Sequence, residues 1–379
     1  MHDADRIRDA AARFKSALRT HPEPMAWVGL DGFVDEIVRV VDLRTSADEF
    51  TPISTIGQYA SRLAAAAGKS TNVELVTQQV KLGGNGPLMG EALGRLGARL
   101  NYVGSVGSPE MDPTFLPLKK YGEVTPIARP GITIAAEFDD GKIMHGRMEG
   151  LREVTFENLV RGSGGEDALR DALAAADVMA LVNWTMLPHM TSILRSVRPM
   201  MEGLAEKAPR VIFFDLCDPA KRPVEDLADA VEVMASFSSA HTTAILGLNE
   251  AESEQVARAV GVDPGDNSAD ALVHRARTIA EKIAISEIVI HPTRLAGAWG
   301  RDGSGSLHGP FCRAPKLTTG AGDHFNGGYV FGRTIGLSPA DSLVVGKATS
   351  GFYVRNCRGP AAEELVLFCE HWAANALDS

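Results

Sequence analysis

The run at 315–332, PKLTTGAGDHFNGGYVFG, is where residue types and spacing come closest to chemistry. Gly320, Ala321 and Gly322 are small residues placed where a helix begins, and Asp323 follows in its first turn. Unpaired backbone N–H groups and the positive end of the helix dipole make such a place an anion site, and glycine lets a phosphate approach the backbone. A carboxylate beside a phosphate is unfavourable unless it has a task. Accepting the proton of an attacking hydroxyl is one, because phosphoryl transfer otherwise depends on positioning and charge neutralisation. The plainer alternative is a tight turn whose acid merely favours the helix N-terminus.

Three further clusters carry polar groups at strand ends. In KLGGNGPLMGEALGRLGA (81–98), Gly83 and Gly84 end a strand and Pro87 suits a first helical turn. Leu88, Ala92, Leu93 and Leu96 then form a stripe that stops at Gly97. In GLNEAESE (247–254), Asn249 and Glu252 are spaced as a helix start with a capping box. In WVGLDGFVDEI (27–37), Asp31 and Asp35 follow an apolar run. A carboxylate there can accept bonds from two neighbouring hydroxyls, as a sugar offers, or simply cap a loop.

TTGAGDHFNGG resembles the signature of the PfkB, or ribokinase-like, family of carbohydrate and nucleoside kinases. The resemblance implies that Asp323 is the catalytic base and that the Gly320-Ala321-Gly322 backbone is an anion hole for the transferred phosphate. It implies a substrate turn at Gly83, Gly84 and Asn85, although Leu88 stands where the family's GGxxxN pattern usually has Asn. Asn249 and Glu252 match its NxxE motif in the magnesium and phosphate region; Mg²⁺ keeps most of its waters and needs only one or two carboxylates. Asp35, with Asp31 as a near alternative, matches the acid that binds substrate hydroxyls.

Two segments depart from the family pattern. His291, Pro292 and Arg294 stand where members often carry a TLGxxG turn near the nucleotide, and Cys217 and Asp218 disturb the DxNxR-like stretch FFDLCDPAKRP. Lys221, Arg222 or Arg294 would supply local positive charge, and Arg294 is the expected nucleotide contact. The resemblance implies transfer of the γ-phosphate of ATP, with Mg²⁺, to a hydroxyl of a sugar or sugar-like molecule. It leaves open an ADP-dependent sugar kinase, a nucleoside kinase or a non-catalytic sugar-binding relative, and also a monovalent cation and a homodimer.

The elements that must position these residues alternate. An amphipathic helix is expected near 4–19, followed by a buried strand at 25–30. Strand candidates follow at 73–80, 100–106, 178–184, 210–216, 244–249, 287–291 and 295–300. Helix candidates lie near 54–67, 87–96, 188–206, 223–235, 250–260 and 269–284, with three consecutive helices at 323–335, 339–355 and 361–377. Apolar strands alternating with amphipathic helices predict an α/β fold, a mostly parallel central sheet with helices on both faces. Segments about 36–50 and 125–150 carry β-type alternation, the second with a DDGK turn, and are read as a small β lid; His145, Arg147 and Glu149 could touch ligand from it. No repeat or Pro-rich linker divides the chain, so 1–379 is taken as a single ribokinase-like domain.

Composition narrows the class. The formal charge of −10 and the lack of any basic cluster argue against a nucleic-acid partner. No apolar run approaches the ~18 residues of a membrane span, and the first residues lack the apolar core of a signal peptide, so a cytoplasmic protein is expected. The 4 cysteines form no CxxC pair, which argues against a zinc site or disulfide framework.

Overall fold

The computed structural model describes residues 3–21, 23–202, 204 and 210–377. Its strands, in chain order, are β1 Met25–Gly29, β2 Phe33–Arg44, β3 Phe50–Pro52, β4 Leu75–Gly83, β5 Arg99–Gly104, β6 Gly122–Pro126 and β7 Gly131–Phe138. They continue with β8 Gly141–Arg147, β9 Val178–Leu181, β10 Arg210–Asp215, β11 Thr242–Leu248, β12 Glu287–Ile290, β13 Leu295–Gly300 and β14 Gly303–His308.

Nine strands form the central sheet in the order β14-β13-β12-β11-β10-β9-β1-β5-β6, parallel from β12 to β6 and antiparallel at the β12-β13-β14 edge. Successive strand side chains point to opposite faces, so each strand feeds two cores. Val178, Ala180, Val211 and Phe213 pack on one face with the helices Asp3–Thr20, Asn85–Leu96, Ala321–Thr334, Pro339–Asn356 and Ala362–Ala373. Met179, Leu181, Ile212 and Phe214 pack on the other, against Glu166–Ala175, Met190–Glu202, Val224–Ala235, Glu250–Ala259 and Ala269–Ile283. Burial on both faces is why these strands read as continuous apolar runs. The expected helices are found within a few residues; part of the 188–206 expectation lies outside the described residues.

A second sheet projects from the first. Its spine is β2, antiparallel to β4, parallel to β7, and joined at its far end to β3; β7 and β8 make the expected hairpin, turning at Asp139 and Asp140. A small core of Val38, Val40, Ile53, Tyr59, Ala136 and Phe138 holds it.

The structure corrects three of the expected segments and adds three elements. The run at 73–80 belongs to this accessory sheet as β4, and its side chains are mostly exposed. The first lid strand begins at Phe33, so Asp35 lies within it. Residues 125–126 close β6, a central-sheet strand with few apolar residues to announce it. The helices Phe156–Gly162 and Glu166–Ala175 and the Gly/Ser-rich strand β14 were not anticipated. Among the described residues, no helix is long and apolar enough to cross a membrane.

Candidate active site

A cavity of about 530 Å³ opens at the carboxyl ends of the central strands, where ligands of open parallel sheets bind. Its wall includes Asn85, Asp215, Asn249, Glu252, His291, Gly322, Asp323, Asn326 and Lys347. The motifs read separately along the chain therefore converge, although Asp31, Asp35, Gly83, Gly84, Arg294 and Gly320 do not line it.

The glycine-rich turn is built as the spacing required. Gly320 takes φ 91°, a left-handed conformation open to glycine, and starts the helix Ala321–Thr334. A Cβ at Gly320 would also lie 2.9 Å from the Tyr353 hydroxyl, which donates to Thr319 O at 2.7 Å. His324 Nδ1 donates back to Gly320 O at 2.9 Å and its ring stacks on Tyr353, fixing the turn from below. The Ala321 N–H is spent on Thr318 O at 3.1 Å, so the first-turn donors left for an anion are further along, at Gly322 and Asp323.

Asp323 keeps part of its surface open to the cavity, yet desolvation raises its pKa well above the ordinary carboxylate value. The charges of Asp31 and Glu252 push the same way, and the Asn85 side chain partly offsets them. Asn85 Nδ2 also donates to Asp215 Oδ1 at 3.3 Å, so the asparagine that departs from the family spacing ties the Gly83-Gly84 turn to the Asp323 corner.

The two acids after β1 divide their work. Asp31 is fully buried: Oδ2 accepts from Asn85 N at 2.9 Å and Asn183 Nδ2 at 2.8 Å, and Oδ1 from Gly86 N at 2.8 Å. It therefore caps the helix Asn85–Leu96, and burial still lifts its pKa to about 6. Asp35 lies between Lys81 of β4 and Thr133 of β7, bonded to Thr133 and within the field of Lys81 and Lys142. Burial is the largest influence and raises its pKa. A Cβ at Gly83 would sit 2.4 Å from the Asp35 carboxylate, and one at Gly84, 2.9 Å from Asp31. The paired glycines are thus demanded by the two acids packed against them.

Asn249 and Glu252 form the capping box: Asn249 Oδ1 accepts from Glu252 N at 3.0 Å and Glu252 Oε2 from Asn249 N at 2.8 Å. Glu252 Oε1 accepts from Asp218 N at 3.0 Å, and Cys217 and Asp218 both have positive φ to present that loop. With both oxygens already accepting, Glu252 suits an outer contact to a hydrated cation better than direct ligation. Among the described residues no set of three His, Cys, Asp or Glu side chains could hold a metal.

The basic residues expected here are used elsewhere. Arg222 donates to Thr185 O and Leu187 O and lies over Trp184, Lys221 pairs with Asp218, and Arg294 stacks on Phe311 at 3.6 Å. Of the lid residues, His145, Arg147 and Glu149 stay exposed, whereas Lys142 Nζ donates to Thr319 Oγ1 at 2.5 Å beside the glycine-rich turn.

Two site residues escaped the sequence reading, and a third, Asp215, entered it only as the acid of the DxNxR-like stretch. Asp215 ends β10 and accepts from Asn326 Nδ2 at 3.1 Å as well as from Asn85; burial, then Glu252 and Asp323, raise its pKa. An acid at the carboxyl end of a buried strand was the available signal. Asn326 follows Asp323 by one helical step onto the same face. Lys347 is a lysine inside a run of buried helical positions, Ser342 to Thr349.

The sheet order and the glycine-rich helix start beside Asp323 are what the ribokinase-like class of carbohydrate kinases leads one to expect, and the comparisons place the chain in that class. Solved structures agree on the fold. Ribokinase from Thermotoga maritima superposes with TM-score 0.59 over 91% of this chain and 99% of that one, at 16% identity. Arabidopsis thaliana ribokinase complexed with ribose and ATP gives 0.60 over 92% and 99%, at 13% identity. The family model described as prokaryotic ketohexokinase matches residues 3–372, and the chain belongs to that family. A ketohexokinase of Haloferax volcanii is 27% identical over 347 residues, 90% of this chain and 89% of the relative.

Proposed function

We propose that the protein phosphorylates a hydroxyl of a ketohexose, taking the terminal phosphoryl group of ATP, with Asp323 as general base. The observation that carries this reading is the placing of Asp323 on the cavity wall, one residue past the Gly320-Ala321-Gly322 turn and in a helix's first turn. Asp35 accepts hydrogen bonds from the sugar, and the glycine turn at Gly83 and Gly84 lets the sugar approach the backbone beside it. The acceptor hydroxyl gives its proton to Asp323 as its oxygen bonds the γ-phosphorus. The bond from phosphorus to the β,γ-bridging oxygen breaks, and ADP leaves with that electron pair. The Gly322 N–H and the helix dipole stabilise charge on the transferring group.

Asn249 and Glu252 would meet a hydrated Mg²⁺ carried on the nucleotide. Its charge would offset that of the buried acids Asp215 and Glu252 and of Asp323. Lys142, by closing the lid onto Thr319, keeps water from competing with the sugar as acceptor. The free cysteines and the curated relative's activity fit a cytoplasmic sugar kinase.

The test is a coupled assay of ketohexoses, aldoses, sugar phosphates and nucleosides with ATP and with ADP. Turnover of a ketohexose with ATP is expected. Turnover confined to a nucleoside, or to ADP as donor, would replace the reading with another of the same fold.

A further inference from the structure

We propose that Lys347 is the side chain that grips the phosphoryl-donor nucleotide, its third N–H meeting an acceptor atom of the nucleoside polyphosphate while the other two brace the turn after β12. This rests on reading the cavity as the nucleotide's side of the site.

Lys347 projects from the helix Pro339–Asn356 to the cavity wall and is 6% exposed. Its Nζ donates to Pro292 O at 2.6 Å and Thr293 O at 3.3 Å. An ammonium carries three donors, so one remains. Among the described residues no carboxylate lies within ion-pair distance of it. A buried cation without a counter-charge is costly, and an anionic ligand is the usual relief. Desolvation accordingly lowers its pKa to about 7.

The surroundings are shaped for this side chain. A Cβ at Gly309 would come within 2.8 Å of Lys347 Cδ, so glycine makes room for the stem. The ammonium lies 5.6 Å from the Phe325 ring, and His291 stacks on that ring with centroids 4.6 Å apart. His291 is held neutral, its pKa driven to about 3 by burial and by Lys347, and its buried Nε2 has no partner. His291 Cε1 in turn stands 3.6 Å from the Cβ position of Gly322. Lys347, His291 and the glycine-rich turn thus form one wall.

Charge decides between the possible occupants. The cavity is lined by Asp215, Asp218, Glu252 and Asp323, and Lys347 is the one Lys or Arg among its described lining residues. A neutral sugar has no need of that cation, and the acids expected to bind the sugar lie outside this cavity. A polyanionic nucleotide needs it.

The experiment compares wild type with Lys347→Met and Lys347→Gln. Calorimetry gives the Kd for Mg-ADP, and steady-state kinetics give KM for ATP and for the sugar. Gln retains N–H donors for the turn, so it remains informative if Met impairs folding. Loss of a charge-assisted hydrogen bond predicts Mg-ADP binding weaker by about 10- to 100-fold and a parallel rise in KM for ATP. KM for the sugar should stay within about twofold, because no sugar contact is removed. Unchanged Kd and KM for the nucleotide, or a change confined to the sugar, would reduce Lys347 to a brace of the turn. Absence of sugar phosphorylation by wild type would sink the kinase reading instead, and the Mg-ADP binding comparison would still decide the role of Lys347. A wild type that binds no Mg-ADP overturns both.

Discussion

The corner around Asp323 and the accessory sheet meet where Lys142 reaches Thr319, and they are built in opposite ways. In the corner, Asp31, Asp215 and Glu252 are buried and every one of their carboxylates is held by named backbone or amide donors. On the accessory sheet, β4 and β8 leave most side chains in water, with Val80 at 52% and Met144 at 53% exposure. The corner takes its geometry from the two cores of the central sheet, so it can hold acids far from their ordinary pKa. The accessory sheet has a small core of its own, and its proposed part is to cover the site. Changes in the corner should therefore fall on chemistry or stability, and changes in the lid on substrate retention.

The largest expected effect is that of Asp323→Asn. Removing the base should lower kcat on the order of 10³-fold while the unfolding midpoint does not fall, since a carboxylate disfavoured by burial is replaced by a neutral amide. A variant that loses both activity and fold would blur the distinction between site and scaffold. Asp31→Asn should show the reverse pattern. Its amide would face the N–H groups of Asn85, Gly86 or Asn183, a loss of about 3 kcal/mol measurable by denaturant unfolding. Asp35→Asn, at the border of the two regions, should lower kcat/KM for the sugar by about 10- to 100-fold, with KM for ATP unchanged. The smallest effect belongs to the lid: Lys142→Ala should raise KM for the sugar about two- to fivefold and increase ATP hydrolysis without sugar, with stability unaltered. An equal effect of Lys142→Ala on stability would show that the lid is part of the scaffold after all.

The same contrast explains what could be read from the chain. Gly320, Asp323, Gly83 and Gly84 were legible because their geometry is local: left-handed turns that open helices, and an acid in a first helical turn. The capping reading of Asn249 and Glu252 was legible for the same reason, and it coexists with a place on the cavity wall. Asn326 and Lys347 were not, and Asp215 only as the acid of a disturbed motif, because their meaning comes from strands and helices far apart in sequence that only the sheet order brings together. Apolar alternation showed that 73–80 is a strand. It could not show that β4 pairs with β2, since pairing depends on what competes for each edge. Arg222 and Arg294 show the converse: a basic residue near a motif has, in space, carbonyls and aromatic rings for partners, which the sequence does not announce.

The central claim is that Asp323 takes the proton of the attacking hydroxyl. It is tested most directly by the pH dependence of kcat/KM for the sugar at saturating Mg-ATP. The base works only when ionised, and burial with neighbouring negative charge raises its pKa. Activity should therefore be present above that pKa and fall, about tenfold per pH unit, as pH drops through it, at a value above the ordinary carboxylate pKa of about 4. Acidification should not unfold the protein in that window through Asp31 or Asp323. Carboxylates whose folded pKa is raised add stability that is complete below their unfolded pKa and is lost only as pH rises through the folded one. An acid limb displaced above the ordinary carboxylate range, in a protein that stays folded, is the predicted result; a limb within that range, or none, would contradict it.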